Sequence, residues 1–207
     1  MLIIDLSSNN AEPKWAALKR SGIEAVWLKA SEGVTWRDPD FNRWRAAAGK
    51  AGLRVGAYHF ARPDLHPFDP VSEAKGFCAQ VVSVGRRDLR PVLDYERLSG
   101  RGGDETWIRK FNRVVSDRLK VGPLFYSYPA LIESLDLAHP VGYGLWLASY
   151  GRNDGKQHPY RVPAPWKKLV AHQFSSRCRV VGCDGLVDLS RVYQPRAVLA
   201  HPVAGRV

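Results

Sequence analysis

Two acidic residues separated by one aromatic residue, Asp94-Tyr95-Glu96, are the strongest candidates for chemistry in this sequence. They end the apolar run 91–93, which is typical of a buried strand in a parallel sheet. Side chains in a strand alternate between faces, so Asp94 and Glu96 are expected to point the same way, with Cα atoms roughly 6.5 Å apart. Repulsion between such acids raises at least one pKa, which leaves a carboxyl group protonated near neutral pH.

This pair of acids has a plainer interpretation, a solvated strand end or a salt bridge to Arg90 or Arg97. The stretch by itself favours catalysis only slightly over that alternative. The decision therefore depends on which other residues the fold brings beside the pair.

The composition is that of one globular domain rather than a disordered chain. It has 207 residues, of which 45% are hydrophobic and 25% charged. No apolar run approaches the roughly 20 residues of a membrane span. The net charge of +11 favours polyanionic partners such as nucleic acid, anionic lipid or an anionic cell wall. The basic residues are scattered, which disfavours a dedicated nucleic-acid-binding arm.

The ends and the cysteines add further expectations. The first residues, 1–5, lack the basic and apolar segments of a signal peptide, so we expect a cytoplasmic product that is released by other means.

Cys178 and Cys183 either bridge across a tight turn or stay reduced, and Cys78 is expected to be buried. No zinc-binding motif is present, and we expect neither a metal nor a cofactor.

Strand and helix patterns alternate five times along the first 140 residues, and three strands follow. Asp38, Asp69 and Asp104 are the expected helix N-caps. Alternation of this kind requires a mainly parallel sheet. Eight strands favour a closed barrel, so the predicted fold class is α/β, an irregular TIM-like β/α barrel of eight strands with about five outer helices. We expect one domain over residues 1–194 and a tail without a clear pattern over 195–207.

Chemistry in such barrels lies at the C-terminal ends of the strands. The polar and aromatic residues predicted there are Asp5, Glu32, Tyr58, His59, Arg62, Asp94, Glu96, Tyr126, Tyr128, Trp146, Tyr150, His172 and Gln173, joined by Asp188 if the last strand is antiparallel. Acids ringed by aromatic side chains are typical of a sugar-binding cleft, and glycoside hydrolysis needs a protonated acid beside a negative group. Three other aromatic residues, Trp27, Trp44 and Trp107, are predicted to be core. His59 is expected to be structural, because no partner acid is evident in the sequence.

Eight short motifs, in order over about 190 residues, resemble glycoside hydrolase family 25, the muramidases related to the Chalaropsis-type lysozyme. They are Ile4-Asp5-Leu6-Ser7, Lys29-Ala30-Ser31-Glu32-Gly33, Gly56-Ala57-Tyr58-His59-Phe60, Leu93-Asp94-Tyr95-Glu96, Tyr126-Ser127, Leu145-Trp146-Leu147-Ala148, His172-Gln173-Phe174-Ser175 and Val187-Asp188-Leu189. Two positions depart from the family pattern: Ile4 replaces a glycine, and Ser190 replaces an asparagine. Neither departure removes a carboxylate.

The resemblance implies hydrolysis of the β-1,4 bond between N-acetylmuramic acid and N-acetylglucosamine in peptidoglycan, without a metal, and commonly in phage endolysins that lyse the host. It implies that Glu96 is the general acid/base, with Asp94 as the second catalytic residue. The expected substrate-binding residues are Asp5, Asp188, Glu32, Tyr58, Tyr126, Trp146 and Gln173. The intermediate is either a covalent ester or an oxazolinium formed by the substrate's acetamido group, and we favour the second. Bacterial peptidoglycan and anionic wall polymers are the expected partners of a monomer that lacks a nucleic-acid partner.

Two other functions compete with this interpretation. A nuclease would use the basic surface and hold Mg²⁺ between the acids, but Glu96 is followed by Arg97-Leu98 rather than by a Glu-x-Lys motif. A catalytically silent barrel that only binds cell walls would keep the fold and lose the carboxylates. All four carboxylates are present, which favours the enzyme.

Overall fold

The computed structural model describes residues 1–85 and 87–200 as an α/β structure built on one sheet. The strands are β1 (Leu2–Leu6), β2 (Ile23–Glu32), β3 (Trp36–Arg37), β4 (Arg54–Phe60), β5 (Val92–Asp94), β6 (Leu124–Ser127), β7 (Leu145–Ala148), β8 (Ala171–Cys178) and β9 (Val187–Val192). The helices are α1 (Trp15–Arg20), α2 (Phe41–Lys50), α3 (Pro70–Val81), α4 (Asp104–Leu119), α5 (Pro129–Ser134) and α6 (Pro195–Val198).

Eight of these strands close into a barrel, as the sequence predicts. The order around the ring is β1-β9-β8-β7-β6-β5-β4-β2, and β1 pairs with β2 to close it. β9 runs antiparallel to both of its neighbours, whereas the other pairings in the ring are parallel. The reversed last strand therefore brings its N-terminal residues to the C-terminal ends of the other strands.

Three elements were not individually assigned from the sequence. Strand β3 is two residues long and pairs with β2 outside the ring. Helices α5 and α6 have six and four residues, so the described chain has six helices rather than about five. Both begin with proline at the first helical turn. Helices this short have too few positions to show a 3.6-residue periodicity.

Of the three expected aspartate caps, one is confirmed. The Asp69 carboxylate accepts the backbone N–H of Ser72 at 3.0 Å and Pro70 follows it, which starts α3 as predicted. The other two predictions are wrong. Asp38 lies in the turn before α2, which starts at residue 41. Its carboxylate accepts the backbone N–H groups of Ser8 and Asp40. Asp104 lies inside α4, where its carboxylate accepts bonds from the 95–99 loop.

The barrel wall separates two apolar cores. The larger core lies between the sheet and the helices, and it includes Trp44, Trp107 and the ring of Tyr95. The smaller core fills the barrel interior, where the Trp27 and Trp146 rings stack with centroids 4.3 Å apart. The three tryptophans predicted to be core, Trp27, Trp44 and Trp107, are all at most 2% exposed. Tyr95 and Asp94 thus point to opposite sides of the wall, as strand alternation requires.

The C-terminal residues and the cysteines also pack against the barrel. Val198 and Ala200 are buried, and the carbonyl of Val198 accepts the Arg90 backbone N–H at 2.7 Å. The end of the predicted tail, 201–207, lies outside the described residues, and the boundary at residue 194 stays a prediction. Cys78, Cys178 and Cys183 are all free thiols. Within the described ranges, each helix is too short or too polar to cross a membrane.

Gly56 provides a test of how tightly the barrel interior is packed. It lies opposite Trp27 on the neighbouring strand, and a Cβ atom there would overlap the indole ring and lie 2.8 Å from Leu89 Cβ. We expect Gly56→Ala to lower the free energy of unfolding by about 2 kcal/mol, because overpacking forces the stacked indoles apart. Chemical denaturation measures the change.

The matched control is Gly49→Ala, in α2, where an added Cβ meets nothing within 4 Å. Alanine restricts the unfolded chain and suits a helix, so this variant should be more stable by up to about 1 kcal/mol. Equal effects of the two substitutions would contradict the packing argument.

Candidate active site

The strand register brings acids from the two ends of the chain together. Asp5 on β1 lies directly opposite Asp188 on the antiparallel β9. Asp94 ends β5 and lies beside Tyr126 of β6, which in turn lies beside Trp146 of β7. Because these positions share the inner face of the wall, their side chains converge at one mouth of the barrel.

A cleft of about 220 Å³ opens at this mouth. Seven of the nine predicted site residues line it: Asp5, Tyr58, Asp94, Glu96, Tyr126, Trp146 and Asp188. Four further lining residues were not predicted to belong to the site: Ser7, Asn9, Lys29 and Phe60. Glu96 follows the end of β5 and still shares the cleft with Asp94, as the alternation of their side chains predicts. Four carboxyl groups therefore face one small space.

Gln173 and Glu32, the other two predicted residues, lie behind this lining. The Gln173 amide nitrogen donates to both carboxylate oxygens of Asp5, at 3.1 and 3.0 Å. Its amide oxygen accepts the hydroxyls of Tyr126 and Tyr150, at 2.7 and 2.6 Å. Gln173 therefore fixes Asp5 and two aromatic rings in place without lining the cleft itself.

Glu32 forms the centre of a chain of charges. One of its oxygens accepts the Lys29 ammonium at 2.6 Å and the other accepts Arg62 at 2.7 Å. Arg62 also makes paired bonds to Asp64, both at 2.9 Å. Although partial burial opposes it, the hydrogen bonds from Lys29 and Arg62 hold the pKa of Glu32 below its usual value. Both carboxylate oxygens already have a cation, so Glu32 is better placed to hold Lys29 than to bind a sugar.

Lys29 is the cation that sequence reasoning missed, although it stands inside a quoted motif. Its side chain is only 10% exposed, and its ammonium lies 4.9 Å from the ring centroids of both Trp36 and Phe60. Of the described residues that line the cleft, Lys29 is the one lysine or arginine. A lysine in a strand that is otherwise buried is the sequence signal that points to such a role, because an unpaired ammonium is costly to bury.

Burial is the main cause of the unusual protonation of the acids. It raises the pKa of Asp94 well above its ordinary value, with repulsion from Glu96 adding to it and Lys29 opposing it. It also raises the pKa of Glu96. The two groups therefore retain their protons to a higher pH than exposed carboxyls do. The raised pKa of Asp94 opposes the requirement of glycoside hydrolysis for a negative group beside the protonated acid, and Lys29 is the nearby cation that favours the charged form of Asp94.

The second acidic pair is perturbed in the same direction. Burial, followed by the charge of Asp188, raises the pKa of Asp5 well above its ordinary value. Burial also raises the pKa of Asp188. At neutral pH the cleft therefore contains more negative charge than is favourable for folding.

His59 lies outside the cleft, and its structural role has a different basis from the one expected. It is fully buried between Ser31, 2.9 Å from Nδ1, and Glu73, 2.8 Å from Nε2. The expectation that it has no partner acid is wrong, because Glu73 comes from α3, fourteen residues later. Burial lowers the pKa of His59, and a neutral ring can donate to Glu73 and accept from Ser31.

Two further aromatic residues, Trp146 and Tyr128, differ in whether they line the cleft. Trp146 donates its indole N–H to Ser190 Oγ at 3.0 Å, so Ser190 has a partner at the position where the family pattern has asparagine. Tyr128 follows the end of β6 and is the N-cap residue of α5, where it is 38% exposed. It does not share the cleft with Tyr126.

The sequence model of the glycosyl hydrolases family 25 matches residues 4–183, which include three of the four cleft carboxylates and end before Asp188. The chain belongs to glycosyl hydrolase family 25. Membership agrees with the barrel and with the position of the acidic cleft at the C-terminal strand ends.

Similar proteins include lysozymes from bacteria and phages. The chain is 38% identical over 201 residues to lysozyme M1 of Streptomyces globisporus, covering 91% of this chain and 66% of that protein. It is 30% identical over 160 residues to the lysozyme of Streptococcus phage Cp-9, covering 74% of this chain and 45% of that protein. The chain thus spans about half to two thirds of the length of these relatives. The crystal structure of the bacterial lysozyme from Streptomyces coelicolor superposes with a TM-score of 0.83 at 26% identity, over 93% of this chain and 92% of that one.

The raised pKa values predict that the acidic cleft lowers stability at high pH. A carboxyl group with a raised pKa in the folded state favours folding below its unfolded pKa, and this contribution is lost as the pH rises through the folded value. We therefore expect Asp188→Asn to increase the free energy of unfolding by about 1 kcal/mol at pH 8 and to change it little at pH 3. Denaturant titrations at the two pH values measure this difference.

Asp184→Asn is the control, because Asp184 is an exposed acid near the same strand. It should change the stability by less than about 0.5 kcal/mol at either pH. A gain for Asp188→Asn that is as large at pH 3 as at pH 8 would show that charge repulsion is not its origin.

Proposed function

We propose that this protein is a peptidoglycan muramidase that hydrolyses the β-1,4 bond between N-acetylmuramic acid and N-acetylglucosamine. The observation that carries the proposal is the convergence of four carboxyl groups with raised pKa values in one cleft. The aromatic rings of Tyr58, Phe60 and Trp146 line the same cleft, and the partly exposed rings of Tyr58 and Phe60 provide apolar surfaces for sugar rings. Family membership and the lysozymes among its relatives support the same activity.

Glu96 is the proposed general acid/base. Because its pKa is raised, the protonated Glu96 carboxyl can donate its proton to the glycosidic oxygen of the leaving N-acetylglucosamine. As the C1–O bond breaks, the acetamido oxygen of N-acetylmuramic acid bonds to C1, and the resulting oxazolinium carries the positive charge. Water then attacks C1 and gives a proton back to Glu96, which leaves a reducing N-acetylmuramic acid end.

Asp94 is proposed to orient the acetamido group and to stabilise the positive charge of the oxazolinium. This role requires the ionised carboxylate at the moment of bond cleavage. Lys29 supports it, because a buried cation on the inner face favours the charged form of Asp94. Asp5 and Asp188 are proposed to bind sugar hydroxyls on the other side of the cleft.

A finer proposal is that the chain acts as a phage endolysin on the wall of its host. Its similarity to the lysozyme of a Streptococcus phage supports this setting. Expression inside a susceptible bacterium tests it. We expect lysis only when the membrane is permeabilised by a holin, and lysis without permeabilisation would contradict release by that route.

The proton-donor role predicts a selective loss of turnover. We expect Glu96→Gln to reduce kcat at least about 100-fold while the affinity for peptidoglycan fragments stays nearly unchanged, because glutamine keeps the shape and lacks the proton. Asp94→Asn should lose kcat with little change in KM. Mass spectrometry of digested peptidoglycan identifies the reducing end. A Glu96→Gln variant that keeps more than a tenth of the wild-type rate would remove Glu96 from this role.

The proposed role of Lys29 predicts a change in the pH profile. Without the cation the pKa of Asp94 rises, so the acidic limb of kcat/KM for Lys29→Met should move to higher pH by about one unit. Lys29→Arg keeps the charge and should keep the wild-type limb. If both variants lose activity equally at all pH values, Lys29 is needed for folding or binding rather than for the charge of Asp94.

A further inference from the structure

The barrel end opposite the acidic cleft carries a surface of the opposite charge. Three adjoining depressions, of about 390, 490 and 710 Å³, meet at Tyr143. Their lining includes Pro123, Gly144 and Val170, each of which immediately precedes a strand of the parallel part of the barrel. They therefore lie at the N-terminal strand ends. We refer to them together as the Tyr143 surface.

Five cations and no described acidic residue line the Tyr143 surface. The cations are Arg109, Arg113, Lys167, Lys168 and Arg196. Two of them have acidic neighbours on α4: Glu105 lies 2.6 Å from Arg109, and Asp117 lies 3.9 Å from Arg113. The other three are exposed and form no ion pair with any described residue. The mouth that binds the proposed substrate has the reverse composition, with four acids and one lysine.

Tyr143 is held in a fixed orientation at the centre of this surface. Its ring stacks on the buried Arg90 guanidinium, whose central carbon lies 3.3 Å from the ring centroid. Arg90 is itself fixed by bonds to the carbonyls of Ala197 and Gly122, at 2.9 and 3.2 Å. Tyr143 nevertheless remains 54% exposed. A preorganised aromatic face of this kind is suited to stacking against a sugar ring.

Asn112 supplies an independent sign that the surface has a ligand. It lines the 390 Å³ depression, and it is only 9% exposed. Neither its amide oxygen nor its amide nitrogen has a hydrogen-bond partner among the described residues. Buried amides are normally bonded, because an unsatisfied polar group costs about 1–3 kcal/mol. A sugar hydroxyl in contact with Asn112 would accept from its amide nitrogen and donate to its amide oxygen, whereas a phosphate oxygen would pair with the nitrogen alone.

We propose that the Tyr143 surface is a second binding site, for a phosphate-bearing glycan polymer of the bacterial cell wall. Arginine makes paired hydrogen bonds to phosphate, and the lysines contribute point charges. Tyr143 accepts a sugar ring between phosphates. This proposal rests on the proposed function, because a muramidase acts on the cell wall. Holding the wall at one end of the barrel raises the effective concentration of glycan strands at the other end.

Two triple variants with equal loss of charge test this site. One replaces Lys167, Lys168 and Arg196 with glutamine, and the control replaces the exposed Lys19, Arg20 and Lys50, which are distant in sequence and lie outside the Tyr143 surface. Each is made in the Glu96→Gln background so that the wall stays intact. Binding to purified Gram-positive cell walls is measured by sedimentation at 0.15 M salt, before and after the phosphodiester-linked polymers are removed with hydrofluoric acid.

We expect the Tyr143-surface variant to bind untreated walls about tenfold more weakly than its parent and the control variant to stay within twofold. On acid-extracted walls the three proteins should bind equally. Equal weakening by both triple variants would overturn the site in favour of general charge attraction. A difference that persists on extracted walls would exclude a phosphate polymer. A parent protein that binds duplex DNA as tightly as the wall polymer, at equal phosphate concentration, would overturn the assignment to a glycan.

An assay with a soluble substrate distinguishes failure of the proposed hydrolysis from failure of the Tyr143 site. With Glu96 intact, both triple variants should release reducing ends from soluble peptidoglycan fragments at the wild-type rate, and melting temperatures confirm that they are folded. If the wild type releases no reducing ends, the proposed hydrolysis fails while the wall-binding comparison still stands. If turnover is normal and wall binding does not distinguish the variants, the Tyr143 site alone is rejected.

Discussion

The constraint on which the active site depends is the cost of placing four carboxyl groups in one buried cleft. Asp5, Asp94, Glu96 and Asp188 all have raised pKa values, and burial is the first cause in each case. A flexible site would separate these groups and hydrate them. The closed barrel prevents separation, because Asp5, Asp94 and Asp188 lie on strands that are hydrogen-bonded on both sides and Glu96 closely follows one of them. Burial, with repulsion adding to it, is what lets a carboxyl group keep its proton to a higher pH than an exposed carboxyl does.

The parts of the structure around the cleft maintain this unfavourable arrangement. Gln173 holds Asp5 and two tyrosine hydroxyls, while Glu32 holds Lys29 and is itself held by Arg62. Beneath the acids, the stacked Trp27 and Trp146 fill the interior, and Gly56 leaves the space that the indole occupies. The packed interior prevents the acids from relaxing inwards, and the hydrogen bonds prevent them from relaxing sideways.

The same barrel separates charge between its two ends. Acids dominate the mouth at the C-terminal strand ends, and cations dominate the Tyr143 surface at the N-terminal ends. The net charge of +11 therefore does not describe the surface that the substrate meets. One pocket cannot both keep its acids protonated and attract a polyanion. The cations that attract the polyanion would lie close to all the acids and would lower their pKa values. Placing them at opposite ends allows both.

Site features that depend on residues close together in the sequence could be predicted, and features that depend on contacts between distant residues could not. Strand alternation placed Asp94 and Glu96 on one face, and Tyr95 on the other, before any fold was considered. The alternation of strands and helices predicted the barrel, and the barrel predicted that Asp5 and Asp188 would lie at the same mouth. Lys29 was missed because the sequence does not show that Glu32 fixes it and that Arg62 in turn fixes Glu32. The partner of His59 was missed for the same reason, since Glu73 approaches it only through the packing of α3.

The sequence alone determined the acids, the strands that carry them and the family motifs, because these depend on periodicity and residue type over a few positions. The tertiary structure alone decided which groups touch. It moved Glu32 and Gln173 from the cleft to positions behind it, and it placed Lys29 beside the acids. It also revealed the surface around Tyr143, whose cations come from α4, the loop before β8 and α6. Burial and charge coupling depend on distances through space, and residues far apart in the chain set those distances only when the barrel closes.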